Sequence, residues 1–326
     1  MTQKDGAWLI TGGAGYIGAH VVREFANAGI RVIVIDNLST GIRERIPDGV
    51  TFTEGDCSDE SLVRKVLITH EVTGIVHLAA FKHARESARQ SIRYWSNNLG
   101  AMLGVINAIQ GTNVRFFLLS SSCAVFGASG FVDSDTKPNP QSTYARTKYS
   151  SEQILADCAT EIDLSWMSLR YFNVIGNGDF PHAHDTSTEC LIPAAYAQIQ
   201  RQRPSIIFGT NFDTPDGTAL RDYVDVRDLA AAHVKAASYL TQENIAPQRT
   251  ISIGTGTPNS VLELLTELYN EVQRPLQIDD SGRHPSDPEA VWADAKQAKE
   301  LLAWEPKHSI KSSIAAHVIS AQRSED

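Results

Sequence analysis

Residues 11–18 read TGGAGYIG, with Gly12, Gly15 and Gly18 spaced three apart. This short stretch limits the fold more than any other in the chain. It follows an apolar run, Ala7–Thr11 (AWLIT), that reads as a strand. It opens a segment in which Ile17, Val21, Phe25 and Ala28 recur near helical spacing before Gly29, a good helix stop. A glycine turn between strand and helix gathers backbone N–H groups at the positive end of the helix, with no side chains in the way. The pyrophosphate of a dinucleotide needs that arrangement, and the last glycine lets helix and strand pack closely. Glycine-rich turns are common, so context decides. The next apolar run, Ile30–Asp36 (IRVIVID), ends in Asp36 about twenty residues beyond the loop, where a carboxylate can bind the hydroxyls of the adenine ribose. An ordinary strand–turn–helix is therefore the lesser reading. Asp36 also favours NAD over NADP, because a 2′-phosphate would meet its charge and Arg43 lies several residues away.

Three more apolar runs follow: Gly74–Ala80 (GIVHLAA), Val114–Ser121 (VRFFLLSS) and Leu164–Tyr171 (LSWMSLRY). Helical patterns such as 91–110 and 143–158 lie between them. Continuous apolar strands alternating with helices indicate an α/β fold with a doubly wound, Rossmann-like parallel sheet covered on both faces. After residue 172 the rhythm weakens. Gly, Asn, Asp, His and Pro fill 176–190, helical patterns return near 188–202, 226–240 and 260–273, and SIIFG (205–209) is strand-like. We expect a dinucleotide-binding domain at 1–172 and a smaller, interleaved α/β substrate domain at 173–326. A chain of 326 residues with 42% hydrophobic content can bury cores for both. A net charge of -9 without a Lys/Arg run speaks against nucleic acid and anionic membranes as partners. Cys57, Cys123, Cys158 and Cys190 are scattered, without C-x-x-C spacing, which suits a reducing compartment. No signal-peptide pattern and no membrane-length apolar stretch is apparent, so a soluble cytoplasmic protein is expected.

The segment STYARTKYSSEQ (142–153) places Tyr144 four residues before Lys148, after the turn Lys137–Pro140. On a helix the two share a face. A nearby ammonium stabilises phenolate, so the pair could take a proton from a hydroxyl while hydride leaves the same carbon. Ser120, Ser121 and Ser122 end the fourth apolar run, at the carboxyl edge of the sheet where ligands bind.

Together, TGGAGYIG, SSSCAVFG and YARTK resemble the extended short-chain dehydrogenase/reductases. DNLSTG (36–41), GDCSD (55–59), HLAAFKHARES (77–87), LRYFNVIG (169–176), FGTNFDTPDGTALRDYVDV (208–226) and WADAKQA (292–298) follow in the order of UDP-glucose (UDP-galactose) 4-epimerases. The resemblance runs nearly end to end, and DTPDGT…RDY is its most specific block. It implies that Tyr144 is base and acid, Lys148 its electrostatic partner, and Ser122 the hydrogen-bonding partner at the sugar C4 hydroxyl. It implies NAD as cofactor, held by Gly12, Gly15, Tyr16, Ile17 and Gly18, then by Asp36, Asn37, Leu38, Ser39, Thr40 and Gly41. Asp56, Cys57, Leu78, Ala79, Ala80, Lys82 and Asn97 would continue that site, with Tyr144, Lys148 and Phe172 near the nicotinamide. The UDP-sugar would meet Lys82, Ser122, Tyr144, Asn173, Leu191, Ile207, Phe208, Asp287 and Val291, with Arg221 on its pyrophosphate. The implied chemistry is a redox loop: C4 is oxidised, the 4-keto sugar turns, and the same hydride returns to the other face. A homodimer through the helices near 91–110 and 143–158 is implied as well.

Several positions depart from the family pattern. Phe126 replaces a usual tyrosine, and Cys190 an Asn or His. His284 and Ser286 replace an arginine and a glycine, with Arg283 a possible compensation. Val291 stands where some relatives carry a tyrosine, which leaves room at C2 for N-acetylated UDP-sugars. Another UDP-sugar is thus the main alternative substrate. A dehydratase or decarboxylase would need an acid after Ser122, where Cys123 and Ala124 stand. A non-catalytic nucleotide-binding regulator would not be expected to keep the Tyr–Lys pair. His182, His184 and Asp185 form H-x-H-D, read as a mobile polar loop over the site rather than a metal centre, and no metal is expected. His77 reads as a packed strand residue and His83 as a loop residue.

Overall fold

Ala7–Thr11 is buried along its whole length. A strand can be so only with cover on both faces, and its side chains divide accordingly. Trp8 and Ile10 join Val21, Val22 and Phe25 in one core, while Ala7 and Leu9 join Val63, Met102 and Leu155 in another. The alternation is the period of two of an extended chain.

The computed structural model describes residues 6–127, 130–242, 248–283 and 287–323. Its strands are β1 (Ala7–Thr11), β2 (Val32–Asp36), β3 (Thr51–Glu54), β4 (Val72–His77), β5 (Phe116–Ser122), β6 (Gly130–Val132), β7 (Ser165–Tyr171), β8 (Asn173–Ile175), β9 (Ser205–Ile207), β10 (Leu220–Asp225), β11 (Gln248–Ile253), β12 (Pro258–Ser260), β13 (Ile278–Asp280) and β14 (Ala290–Ala293). Its helices are α1 (Tyr16–Asn27), α2 (Glu60–Thr69), α3 (Ala84–Arg89), α4 (Ser91–Ile109), α5 (Thr143–Glu161), α6 (Leu191–Gln200), α7 (Val226–Leu240), α8 (Val261–Glu271), α9 (Lys296–Leu302) and α10 (Ile310–Arg323).

Seven strands form a parallel sheet in the order β11-β7-β5-β4-β1-β2-β3. Helices α1 and α7 supply buried residues to one face and α2, α4 and α5 to the other. The α/β, Rossmann-like class read from the sequence is the class found. Two of the seven strands were not foreseen. β3 (TFTE) is a short, half-exposed edge strand, and β11 (QRTISI) is half polar, so neither shows as an apolar run. The run Gly74–Ala80 leaves the sheet after His77, and Leu78 N–H turns to the Thr11 carbonyl at 3.1 Å. The run 205–209 is a strand only to Ile207, and it pairs with β13 away from the main sheet.

The second half, with β6 contributed by the first, builds a sheet of order β12-β10-β14-β6, with β8 also on β10, over a core shared by α6, α8 and α10. Asp222 knits it to the main sheet. Its carboxylate accepts Thr255 N–H (2.8 Å), Gly256 N–H (2.9 Å) and Ala293 N–H (3.1 Å). Among the described residues no helix is long and apolar enough to cross a membrane.

Candidate active site

The chain leaves β1 towards β2 on one side and β4 lies on the other, so the carboxyl end of β1 is the switch point of the sheet. The glycine loop sits there. Gly12 has φ +71°, and a Cβ on it would lie 2.7 Å from Ala79 N. A Cβ on Gly18 would lie 2.1 Å from the Gly12 carbonyl oxygen. Gly15 caps α1 without a side-chain acceptor, and the first turn of the helix holds no acid. Its N–H groups are thus free for an anion. Asp36 closes the loop by accepting Ala14 N–H (2.9 Å) and Leu38 N–H (2.8 Å). Burial pushes its pKa up against these bonds. Each oxygen keeps a lone pair for a ribose diol. The approach of Gly41 is close, since a Cβ there would stand 2.7 Å from Asp36 Oδ1. Asn37 donates to Asp56 at 2.9 Å, and Asp56, Ser58, Phe81 and Asn97 border an open cleft next to the loop. Arg43 lies over the Phe52 ring, and the cation acting on Asp36 is Arg45. These residues fit NAD. Cys57 is buried, so its side chain packs beneath this surface, while Leu78, Ala79 and Ala80 are partly open.

The H-x-H-D loop is fastened, which corrects the expectation of a mobile segment. Arg45, only 2% exposed, donates to the carbonyls of His182 (2.7 Å) and His184 (2.9 Å), and to that of Ala14 in the glycine loop (3.4 Å). Lys82 pairs with Asp185 at 3.2 Å. Burial opposes the charge of Asp185, yet Lys82 and the Ser187 N–H hold its pKa below the usual carboxylate range. Among the described residues no group of three or more His, Cys, Asp or Glu is placed to hold a metal.

Ser142 starts α5 by accepting Ala145 N–H at 3.1 Å, and Ser87 ties down the same first turn by accepting Tyr144 N–H at 3.0 Å. Tyr144, Lys148 and Glu152 then follow one helix face. The phenol of Tyr144 faces Ser122 and Cys123 from the end of β5, and Cys190 from the second half. Burial pushes its pKa up to about 12, against the Ser122 hydroxyl. Burial pulls Lys148 down to about 8, against Glu152. Lys148 donates to the Ser120 carbonyl at 2.7 Å. The expected depression of the Tyr144 pKa by Lys148 is therefore absent: desolvation dominates, and the ammonium is bound to backbone. Ser122 Oγ accepts Ala124 N–H at 3.1 Å.

Further groups, missed by the sequence reading, stand behind this face. Glu152 pairs with Arg170 at 2.7 Å and accepts Ser121 Oγ. Asn98 of α4 grips the Phe81 backbone and donates to Thr147 of α5 at 2.9 Å. A polar residue on the buried stripe of an apolar helix was the available signal for Asn98, and the i+8 position after Tyr144 that for Glu152.

Among the residues expected to meet the UDP-sugar, Arg221 donates to the Leu220 carbonyl at 2.8 Å and faces Asp287, Cys123 and Arg283. Asn173 and Phe208 are exposed and Leu191 half-buried. Ile207 is buried in the core of the second half, so its side chain cannot line an open cleft as expected. Phe172 and Val291 are buried with Val125, Phe126 and Val132 in a small cluster. The Phe126 ring carries the Arg170 guanidinium 4.7 Å from its centroid, so the ring has a role without a hydroxyl. Cys190 caps α6 and faces Lys82 and Asp185. His284 and Ser286 lie outside the described residues. Ile17, Ser39 and Thr40 lie at or near the surface around the glycine loop.

An NAD-dependent enzyme of the short-chain dehydrogenase/reductase class, acting at a hydroxyl-bearing carbon, is what this fold and this site define. Residues 8–254 match the NAD dependent epimerase/dehydratase family. A UDP-glucose 4-epimerase of Rhizobium leguminosarum bv. trifolii is 35% identical over 313 residues, 94% of each chain. A crystal structure of a UDP-glucose 4-epimerase superposes with a TM-score of 0.92 at 30% identity, covering 98% of this chain and 99% of the other. The Bifidobacterium longum UDP-glucose 4-epimerase in complex with NAD+ and UDP gives 0.88 at 28% identity, over 97% and 98%. The chain belongs to the NAD dependent epimerase/dehydratase family, in its UDP-glucose 4-epimerase group, and its cofactor is NAD.

Proposed function

We propose that the chain interconverts UDP-glucose and UDP-galactose by inverting C4 of the sugar. The supporting observation is the meeting of the Tyr144 phenol with Ser122 at the carboxyl end of β5, Lys148 one turn further along α5. When bound, NAD supplies the acceptor that takes the C4 hydride and gives it back. Ser122 orients the C4 hydroxyl, and Tyr144 takes its proton and later returns it. Glu152 and the Ser120 carbonyl hold Lys148 beside them. Arg221 meets the diphosphate, so that UDP stays fixed while the sugar turns. In this reading residues 1–172 serve mainly NAD and 173–326 mainly the UDP-sugar. The UDP in the Bifidobacterium longum complex is consistent with it.

Purified protein is mixed with UDP-galactose and no added NAD, and UDP-glucose is followed. Conversion, with its loss in Tyr144→Phe, is the expected result. Bound NAD without conversion would reject this sugar pair, and no bound NAD even after supplying it would favour a regulatory relative. A second reading, a preference for UDP-GlcNAc, UDP-GalNAc or a UDP-uronic acid, starts from Val291, a small residue where some relatives carry a tyrosine, although the fold buries it against Phe126 and Phe172. It fails if UDP-glucose and UDP-galactose prove the best substrates in a panel with those sugars.

The protein acts in this reading as a cytoplasmic homodimer. Exposed Ile92 and Leu103 share a face of α4 and support a helical dimer seam. Light scattering of the wild type and Leu103→Glu checks it, with a monomeric variant expected.

A further inference from the structure

Arg85 of α3 has no role in the reading so far, yet it bridges two parts of the chain far apart in sequence. Its guanidinium lies over the Phe208 ring, 3.6 Å from the centroid, and donates to Asp287 Oδ2 at 3.2 Å. Phe208 follows β9 and Asp287 precedes β14, so one cation from the dinucleotide side holds two distant segments of the other half.

Both partners remain open to a ligand. Phe208 is 43% exposed, an unusual amount for a ring fixed on one face, and the side chain of Asp287 is 30% exposed. A flat exposed ring suits the face of a base, and an ionised carboxylate suits the hydroxyls of a ribose. Asp287 also faces Arg221, and Arg221 faces Arg283, whose guanidinium lies over Phe212 at 4.2 Å. Guanidinium groups thus outnumber the carboxylate here, in a chain of net charge -9. Such a concentration of positive charge suits a diphosphate.

We propose that Arg85 is a positioning residue for the nucleotide end of the UDP-sugar. It sets Phe208 as the platform for the pyrimidine and holds Asp287 aimed at the ribose, beside Arg221 at the diphosphate. The inference rests on the reading of the substrate as a UDP-sugar. Arg85 does not touch the reacting carbon, so it acts on binding and not on turnover.

The test uses the full-length, NAD-loaded protein, with UDP as the calorimetric probe and the UDP-sugar as substrate. Arg85→Ala is expected to weaken UDP about tenfold and to raise KM similarly, with kcat within about twofold and bound NAD unchanged. Arg85→Lys keeps the ion pair but loses the flat contact with Phe208, and is expected to recover part of the loss. Asp287→Asn and the double variant complete a cycle in which the double loses less than the product of the singles. Unchanged UDP affinity in Arg85→Ala, additive losses, or a fall in kcat with loss of NAD would each overturn the assignment. A wild type that binds no UDP would sink the UDP-sugar reading with it, whereas binding that ignores residue 85 sinks only this inference.

Discussion

Tyr144 and Lys148 share a helix face, yet burial moves their proton affinities apart, the phenol up to about 12 and the ammonium down to about 8. The shift at Lys148 has a stability consequence. Between pH 8 and the ordinary lysine value of 10.5, the unfolded chain holds a proton that the folded chain has released, so stability rises with pH across that window. Lys148→Met should remove the rise, about 1.4 kcal/mol per pH unit at most, when urea midpoints at pH 8 and 10 are compared with the wild type. Ser122→Ala should lower kcat about 100-fold with a much smaller change in KM, read from steady-state kinetics. Gly18→Ala should abolish NAD retention and cost at least 3 kcal/mol, measured as bound cofactor and thermal midpoint, because its Cβ would lie 2.1 Å from the Gly12 oxygen. The glycines were legible in the sequence because a backbone constraint leaves few residue choices. The roles of Arg45 and Asn98 were not, because most of their partners are backbone atoms and hydroxyls far along the chain.

At the scale of elements, the loop carrying His182, His184 and Asp185 was legible as polar and close to the site, but its fastening was not. Composition reports solvent affinity, whereas Arg45 acts through carbonyls that any residue supplies. Arg45→Met frees the carbonyls of His182 and His184. The expected outcome is faster amide exchange across 182–187 and release of NAD about tenfold faster, followed by hydrogen exchange and by displacement with labelled NAD. Unchanged exchange would mean that the Lys82–Asp185 pair alone holds the loop. The buried strands β1, β2, β5 and β7 were legible to within two residues, since burial on both faces demands unbroken apolar runs. Edge strands β3 and β11 escaped because one side of each is spared that demand.

For the whole molecule, buried histidines set the acid limit. Burial pulls His20, His233 and His317 down to about 4 and His77 to about 3, from the ordinary histidine value of 6.5. Each stays neutral in the fold while the unfolded chain takes up a proton. Their stabilising contribution is complete above pH 6.5 and is lost as pH falls towards 4. Denaturant midpoints at pH 7, 6, 5 and 4.5 should fall with a slope steeper than the roughly 1.4 kcal/mol per unit of one group. His317→Phe should flatten that slope. Strand β11 has a last consequence. It comes after β10 of the second sheet, yet it hydrogen-bonds to β7 as an edge of the main parallel sheet, and α7 just before it covers that sheet. The two halves are therefore not interchangeable cartridges. A chimera spliced at residue 172 would import a foreign edge strand and a foreign covering helix along with any new sugar preference. Retargeting the enzyme should instead proceed by transplanting short loops, such as the one after β9, onto an intact scaffold.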